Sequence, residues 1–570
     1  MSIYPHPCPS SPTGPQAAML GQDSARHRRF RSEASDWNLG FRGGGVTLVV
    51  GKLSGGAGRR SNGNCRENVE TMGGSGKRKR WIWLAAGAGL LIAALVLGRP
   101  AAHLVGTWWT DPNELSELPA GIVDDASRMN ATRVAEIWNV PLEMEAAERQ
   151  LAQLLQRARE HGLPVSIAGA RHSMGGHTIS PDGISINMLP FNSMELDEDA
   201  DVLHVQAGAK WSEIIAYLDP LGRSVAVMQS NNSFTVGGSL SVNCHGWQYG
   251  RPPIASTVRS FRLMLSDGTI VSCSRSENDE LFSLALGGYG LFGIILDVEL
   301  LVVPNERLRL EQHIVPIDDA LTTFDQTIKE RSDVSMVYAR LNIAPDELFR
   351  EVIINIFRRD AEGDIPDLSD PGLVTLRRAV FRGSAEGEYG KGLRWALETK
   401  LQPHLSKKVF SRNQLLNEGV ETFQNRSAES TDILHEYFVP RTRIGEFLNA
   451  LRRIVPEHNG NLLNVTVRSV DTDEDTFLRY ADRPMFALVM LFQQPRTAAG
   501  DDAMEAMTQE MIETALSLEG RYYLPYRLHA TVDQFHRAYP QAQDFFERKR
   551  QYDPDELFQN RFYEKYKKRQ

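Results

Sequence analysis

Hydrophobic and polar positions alternate with changing periods along this chain of 570 residues. In residues 142–162 apolar side chains recur three and four positions apart with charges between them, which predicts an amphipathic helix. Apolar or alternating runs predict strands at PVSIAGA, ISINM, VLHVQAG, SFRLML, TIVSCS and FGIILDVELLVV. SDG at 266–268 predicts a hairpin turn, and WSEIIAYLDPLG predicts a helix. Helices and strands are therefore interleaved over 135–304.

The pattern is less regular over residues 305–520. Strands are predicted at SMVYARLNI, EVIINIF, NVTVRSV and MFALVMLFQ, and helices near 446–454 and 503–517. The stretch 360–432 is polar and irregular, which indicates loops or surface helices. The last 50 residues are rich in aromatic side chains and end in a basic tail.

The first 76 residues are rich in Gly, Pro and Ser, and we expect a disordered tail, or a physiological start at Met72. Residues 81–98, WIWLAAGAGLLIAALVLG, are uncharged, and four basic residues, Lys77 to Arg80, precede them. This length and charge asymmetry predict a single transmembrane helix with the rest of the chain on the non-cytoplasmic side. A cleaved signal peptide is the alternative.

Net charge and cysteine spacing argue against some classes of function and site. The formal net charge of −9 is small for this length and argues against nucleic-acid binding. The four cysteines show no CxxC or Cys/His spacing, so neither a zinc site nor a disulfide framework is predicted.

Three glycine-rich segments follow strands, at 169–177 (GARHSMGGH), 235–250 (TVGGSLSVNCHGWQYG) and 287–295 (GGYGLFGII). Glycines in such turns let the backbone approach a ligand and aim its N–H groups at phosphate oxygens. None matches GxGxxG at the head of a βαβ unit or the P-loop pattern, so neither a nicotinamide Rossmann site nor a P-loop is indicated.

In this order, the three segments resemble the FAD-binding domain of the vanillyl-alcohol oxidase and p-cresol methylhydroxylase (PCMH) superfamily, which includes aldonolactone and alditol oxidases and cytokinin dehydrogenases. The resemblance implies an α+β chain with a two-subdomain PCMH-type FAD-binding domain over 131–304. An α+β substrate (cap) domain would occupy 305–520, and 521–570 would return to the FAD domain. The tail at 1–76 and the transmembrane helix would precede them.

In these families the His of G-x-x-H-S is bonded to the flavin, so the resemblance implies FAD attached covalently through His172; a hydrogen bond alone is the alternative. No cysteine stands just before Thr235, so a second, cysteinyl link is not expected. The resemblance assigns these residues to the cofactor: Ala168, Gly169, Ala170, Arg171, His172, Ser173, Val236, Gly237, Gly238, Ser239, His245, Gly246, Ile294 and Ile295. Arg171 is not in the commonest form of the motif.

The segment 464–468, NVTVR, is similar to the E-x-R pattern of polyol and aldonolactone oxidases. Arg468 fits that pattern, whereas Thr466 stands where the family has its acid. Near the flavin's polar edge, where relatives place a lysine, this chain has Tyr526 and Arg527. We therefore expect Arg468, Tyr526 and Arg527 to act in catalysis. Ser230 aligns near the catalytic Asp of cytokinin dehydrogenases, which disfavours that activity.

Together with the transmembrane helix predicted at 81–98, the resemblance implies a membrane-anchored FAD-dependent oxidoreductase. Hydride would pass from a CH–OH or CH–NH group of a small organic substrate, such as a polyol or sugar lactone, to flavin N5. Oxygen or a quinone would reoxidise the flavin. Two alternatives stay open: an enzyme acting on a lipid-linked sugar, and a non-catalytic flavin-binding membrane protein.

Overall fold

A computed structural model describes residues 75–115, 117–370, 372–405 and 408–567. The predicted tail over 1–76 lies almost wholly outside these residues. The chain divides after Lys79 into two units, and the second, Arg80–Gln570, contains nearly all of the described structure. The architecture is mixed helix and sheet, as predicted.

Helices of the first half are α1 (Ser75–Thr110), α2 (Met144–His161), α3 (Trp211–Leu218), α4 (Val236–Ser241) and α5 (Asp279–Ala285). Its strands are β1 (Ile122–Val123), β2 (Thr132–Arg133), β3 (Glu136–Asn139), β4 (Val165–Ala168), β5 (Ile184–Asn187), β6 (Met194–Asp197), β7 (Val202–Gln206), β8 (Arg223–Val225), β9 (Val258–Met264), β10 (Ile270–Ser274) and β11 (Ile294–Pro304).

Two sheets organise this half. Strands β3, β5 and β4 form a small parallel sheet, and β10, β9, β11, β7 and β6 form an antiparallel one to which β8 is added. The helix predicted at 142–162 is α2, which buries Ala147, Leu151, Leu155 and Ala158 on one face and ends at Gly162 with φ of 62°. The predicted SDG hairpin joins β9 to β10.

Helices of the second half are α6 (Ala320–Thr327), α7 (Val374–Gly383), α8 (Glu388–Ala396), α9 (Gln402–Leu405), α10 (Arg412–Leu416), α11 (Ile444–Glu457), α12 (Ala498–Ser517), α13 (Val532–Ala538), α14 (Ala542–Tyr552) and α15 (Arg561–Tyr566). Its strands are β12 (Arg307–Pro316), β13 (Val334–Leu341), β14 (Glu351–Arg359), β15 (Val409–Ser411), β16 (Ser430–Pro440), β17 (Asn461–Val470), β18 (Met485–Pro495) and β19 (Arg521–Tyr522).

All eight strands of the second half join one antiparallel sheet in the order β15-β12-β14-β13-β17-β18-β16-β19. Because side chains alternate across a strand, one face of this sheet presents every second residue to the same side. After β19 the chain meets the first half again, where Phe558 forms a parallel bridge with Val165 of β4.

The C-terminal part of α1 packs against α7 and α8. His103 Nε2 donates to the Gly383 carbonyl at 3.0 Å. The guanidinium of Arg99 lies 3.9 Å from the ring centre of Tyr389. Just beyond the helix, Asp111 Oδ1 accepts from Arg378 at 2.8 Å.

The prediction of a single-pass transmembrane helix over 81–98, with the folded part on the non-cytoplasmic side, was wrong. Among the residues described here, no helix combines the length and the apolar character that crossing a bilayer requires. The apolar stretch is not a separate element: α1 begins at Ser75, includes the basic cluster, and continues through Arg99 and Pro100 to Thr110.

Candidate active site

A cavity of about 1520 Å³ runs between the two halves of the unit Arg80–Gln570. One side is formed by the glycine-rich turns of the first half, and the other by the inner face of the eight-stranded sheet. Helices α7 and α8 and the segment after α1 complete the wall. The volume exceeds the range of about 300–1,000 Å³ usual for ligand pockets, so the cavity has room for more than one small molecule.

The three glycine-rich turns converge on this cavity. The first and second touch at Gly169, where an added Cβ would lie 2.0 Å from Thr235 Oγ1. Thr235 also caps α4, since its Oγ1 accepts from the Gly238 N–H at 3.3 Å. The third turn is bonded to the second by the Gly287 and Tyr289 N–H groups, which donate to the carbonyls of residues 240 and 241 at 2.9 Å. Larger side chains would prevent this close approach.

Most residues assigned to the cofactor line the cavity. Those on its wall are Gly169, Ala170, Arg171, His172, Ser173, Gly237, Gly238, His245 and Ile295. Behind the wall lie Ala168, Val236, Ser239, Gly246 and Ile294. The residues behind the wall hold those on the wall in place. For example, Ser239 Oγ accepts from Trp211 at 2.8 Å and donates to Gln229 at 2.7 Å.

His172 lies in a poorly solvated part of the first turn. Its ring stacks on that of Phe234, with centroids 4.2 Å apart, and the Ser233 backbone provides a hydrogen bond. Burial lowers the pKa of His172 to about 4, with the Ser233 bond acting in the opposite sense. The imidazole is therefore neutral at neutral pH, which leaves one ring nitrogen with a free electron pair.

Arg171 has a conformational role in the same turn. Its φ of 55° lies in the left-handed region, and its guanidinium points back to Ser185, whose Oγ accepts at 2.8 Å. The side chain thus fastens the turn to β5.

Across the cavity, four polar side chains form one cluster. Glu436 of β16 is buried, and its carboxylate accepts from His245 Nε2 at 2.6 Å and from the Tyr526 hydroxyl at 3.0 Å. Arg468 of β17 donates to the His245 carbonyl at 3.1 Å and to Ser230 Oγ at 2.9 Å. The second half of the chain therefore brings a carboxylate and a cation to a histidine of the first half.

The cluster keeps Glu436 ionised. Burial acts to raise the pKa of this carboxyl, but the charge and hydrogen bond of His245, the charge of Arg468 and the Tyr526 hydroxyl together bring it below its usual value. Burial, and then the neighbouring carboxylate, hold the pKa of Tyr526 well above its usual value, so its phenol stays protonated.

Glu436 also stands in the cross-strand row of Thr466. Val489 pairs with Glu436 on one side and with Thr466 on the other, and all three side chains line the cavity. Adjacent strands are about 4.8 Å apart, so the backbones of Glu436 and Thr466 lie about 10 Å apart on the same face of the sheet. Glu436 was not among the residues predicted from the sequence; the available signal was an acid within the mostly apolar run 433–439 of β16.

The predicted catalytic residues separate into two places. Arg468 and Tyr526 line the cavity, whereas Arg527 does not. Arg527 forms an ion pair with Asp501 and donates to Asn130 Oδ1 at 3.1 Å. The guanidinium of Arg527 therefore bonds to Asp501 and Asn130 and does not line the cavity.

Several buried polar atoms on the cavity wall have no hydrogen-bond partner among the described residues. They include Ser173 Oγ, His245 Nδ1, Trp247 Nε1 and Arg468 Nε. Buried polar groups are normally paired, so these atoms fit a polar ligand that bonds both sides of the cavity. The close approach of the three turns, which leaves backbone rather than side chains at the surface, fits a dinucleotide.

Comparison with known families agrees with this geometry. Residues 146–274 match the model of an FAD binding domain. The predicted resemblance to the vanillyl-alcohol oxidase and p-cresol methylhydroxylase superfamily is confirmed for this segment, and FAD is the cofactor it implies.

Similar proteins include L-gulonolactone oxidase of Mus musculus, 29% identical over 185 residues, which are 32% of this chain and 39% of the relative. D-arabinono-1,4-lactone oxidase of Debaryomyces hansenii is 26% identical over 190 residues, covering 31% and 34%. Cytokinin dehydrogenase 2 of Arabidopsis thaliana is 32% identical over 148 residues, covering 25% and 30%. The chain thus spans well under half the length of these curated relatives.

Proposed function

We propose that this chain, whose residues 146–274 match an FAD-binding domain, is an FAD-dependent oxidoreductase acting on a CH–OH group of a small organic substrate such as a polyol or sugar lactone. One observation carries the proposal: the three turns that fit the cofactor and the Glu436–His245–Arg468 cluster line the same cavity. The lactone oxidases among the relatives support the substrate class.

The first-half turns would hold the cofactor. Backbone groups of 169–173 and 237–238 would face its phosphates, and Ile295 would pack on its apolar surface. His172, neutral and half-buried at the first turn, would form the covalent bond to the flavin through its unprotonated nitrogen. FAD supplies the acceptor for the hydride that leaves the substrate carbon.

The cluster on the other side would handle the hydroxyl group. Arg468, whose side chain lines the cavity, would bind the substrate oxygen through its guanidinium and stabilise negative charge there. The ionised Glu436 carboxylate would accept the hydroxyl proton as the carbonyl forms, and His245 and Tyr526 would fix its orientation. The proton thus goes to the protein, the hydride to the cofactor, and the substrate becomes a ketone, aldehyde or ester.

The test is anaerobic mixing of the purified holoprotein with a panel of polyols, sugar lactones and secondary amines. Loss of the oxidised flavin absorbance with an alcohol or lactol supports the proposal, and reduction by amines alone contradicts it. A flavin that no member reduces, although dithionite reduces it, would favour a flavin-binding protein without turnover. Reoxidation by air compared with a quinone analogue then separates oxidase from dehydrogenase.

A further inference from the structure

One wall of the cavity has a graded apolar face that the proposed chemistry does not use. Helix α7 and the residue before it direct Leu373, Leu376, Val380 and Phe381 toward the cavity, at the spacing that keeps side chains on one helix face. Their exposure falls from 74% at Leu373 and 50% at Leu376 to 3% at Phe381. The face therefore begins at the surface and ends inside the protein.

Neighbouring segments extend this face. Leu401, 47% exposed, and Leu397 line the cavity just after α8, and Leu115 and Leu118 approach it from the segment after α1. On the opposite side the sheet contributes apolar and aromatic side chains. These are Leu310, Tyr338, Phe357 and Phe410.

The face has a defined length. From Leu373 to Phe381 the helix rises by about 12 Å at 1.5 Å per residue. The same cavity contains Glu436 and Arg468, so a ligand bound at the cluster can continue along α7 to the surface.

We infer that the substrate is amphipathic, with its CH–OH group at Glu436 and Arg468 and a hydrocarbon chain along α7. This inference rests on the proposed function, because it places the reacting end at that cluster. Exposed leucines grouped at a cavity mouth indicate a surface that an apolar partner covers. The continuity of this surface with the cavity that contains Glu436 and Arg468 favours the tail of the substrate over a separate protein partner.

The experiment uses the holoprotein and a series of 1-O-alkylglycerols with ethyl, hexyl and decyl chains, each kept below the concentration at which it forms micelles. Binding is measured anaerobically from the change in the visible flavin spectrum within the mixing time, or from quenching of intrinsic tryptophan fluorescence. The dissociation constant should fall with chain length, by roughly fourfold for each methylene that is buried. Equal affinity for all three chains would overturn the inference.

Two variants test whether the alkyl chain of the ligand binds along α7. Leu376→Gln and Leu373→Gln change exposed positions, so folding should be retained, and each should weaken decyl binding several-fold while leaving ethyl binding unchanged. Leu301→Gln is the matched control, because Leu301 is 41% exposed but does not line the cavity. Loss of chain-length dependence in the control as well would contradict the assignment to α7.

Three further results distinguish failure of the inference from failure of the proposed function. If the protein is a dimer that Leu376→Gln dissociates, α7 is an interface between copies and the inference fails. If the ethyl compound reduces the flavin as well as the decyl one and binds equally, the proposed function stands and the inference alone fails. If decyl binding depends on Leu376 but nothing reduces the flavin, the tail site is supported and the proposed function fails.

Discussion

Glu436 and His245 lie 2.6 Å apart, oxygen to nitrogen, although 191 positions separate them in the chain. Glu436 belongs to the eight-stranded sheet, and His245 lies within the second glycine-rich segment, after α4. Both side chains are at most 5% exposed, so their hydrogen bond is shielded from water. Contacts of this kind join the two halves at the point where we place the chemistry.

Replacing Glu436 with Gln should preserve the shape of the cluster but remove the proton acceptor. We expect the rate of flavin reduction by substrate to fall by about 10²–10⁴-fold, with a smaller change in substrate affinity. Stopped-flow absorbance under anaerobic conditions measures both quantities. Glu429→Gln, at an exposed position nearby on the chain, is the control and should behave like the parent. A parental rate in Glu436→Gln with an unchanged flavin spectrum would remove Glu436 from the mechanism.

Replacing His172 with Ala should abolish covalent flavin attachment. Acid precipitation of the parent should leave a yellow pellet whose mass includes FAD, whereas the variant should release its flavin into the supernatant. His204→Ala, an exposed histidine on β7, controls for the loss of a histidine elsewhere. A variant that keeps the FAD mass would show that the bond is made at another residue.

Catalysis should be sensitive even to a substitution of Arg468 that preserves its positive charge. Arg468→Lys loses the planar guanidinium that reaches the His245 carbonyl and Ser230 together. We expect kcat/KM to fall by about 10²-fold, comparable with the loss of one donor to a developing oxyanion. Arg441→Lys, whose ion pair is with Asp471, is the matched control. Equal effects of the two changes on kcat/KM would indicate a general loss of packing.

The ion pair of Arg527 with Asp501 should contribute stability that depends on pH. Burial acts to raise the pKa of Asp501, but hydrogen bonds from His529 and Arg527 and their charges hold it well below its usual value. A carboxyl whose pKa is depressed by folding stabilises the protein above its unfolded pKa, near 3.8, and this contribution is lost as the pH falls below that value.

Asp501→Asn should therefore lower the thermal unfolding midpoint at neutral pH, and the difference from the parent should shrink as the pH falls below about 4. The exposed neighbour Asp502 offers the control Asp502→Asn, with little change expected at any pH. A difference that stays constant down to pH 2 would mean that the charge of Asp501 is not its source.

Local patterns were enough to find the first half of the fold. The helix at 142–162, the SDG hairpin and the three glycine-rich turns depend on spacings within a few residues, and the structure confirms the helix and the hairpin. The partner of His245 could not be found in this way, because Glu436 is 191 positions away in the chain and meets His245 only where the eight-stranded sheet packs against the first half.

The opposite case is Arg527. The resemblance placed both Tyr526 and Arg527 near the flavin's polar edge, but these adjacent residues have different surroundings, since Tyr526 lines the cavity and Arg527 pairs with Asp501. Likewise, the apolar run at 81–98 gave no indication that its helix continues to Thr110.

The salt bridge between Asp111 and Arg378 sets a boundary for shortening the protein. Arg378 is buried on the helix that forms one wall of the cavity, and it also donates to the carbonyls of Glu421 and Gln424. A truncated version starting after Asp111 would leave this cation without its carboxylate and would expose the Tyr389 side of α8. An expression boundary placed before Arg99 keeps these contacts, so fusion tags and cleavage sites belong on that side of it.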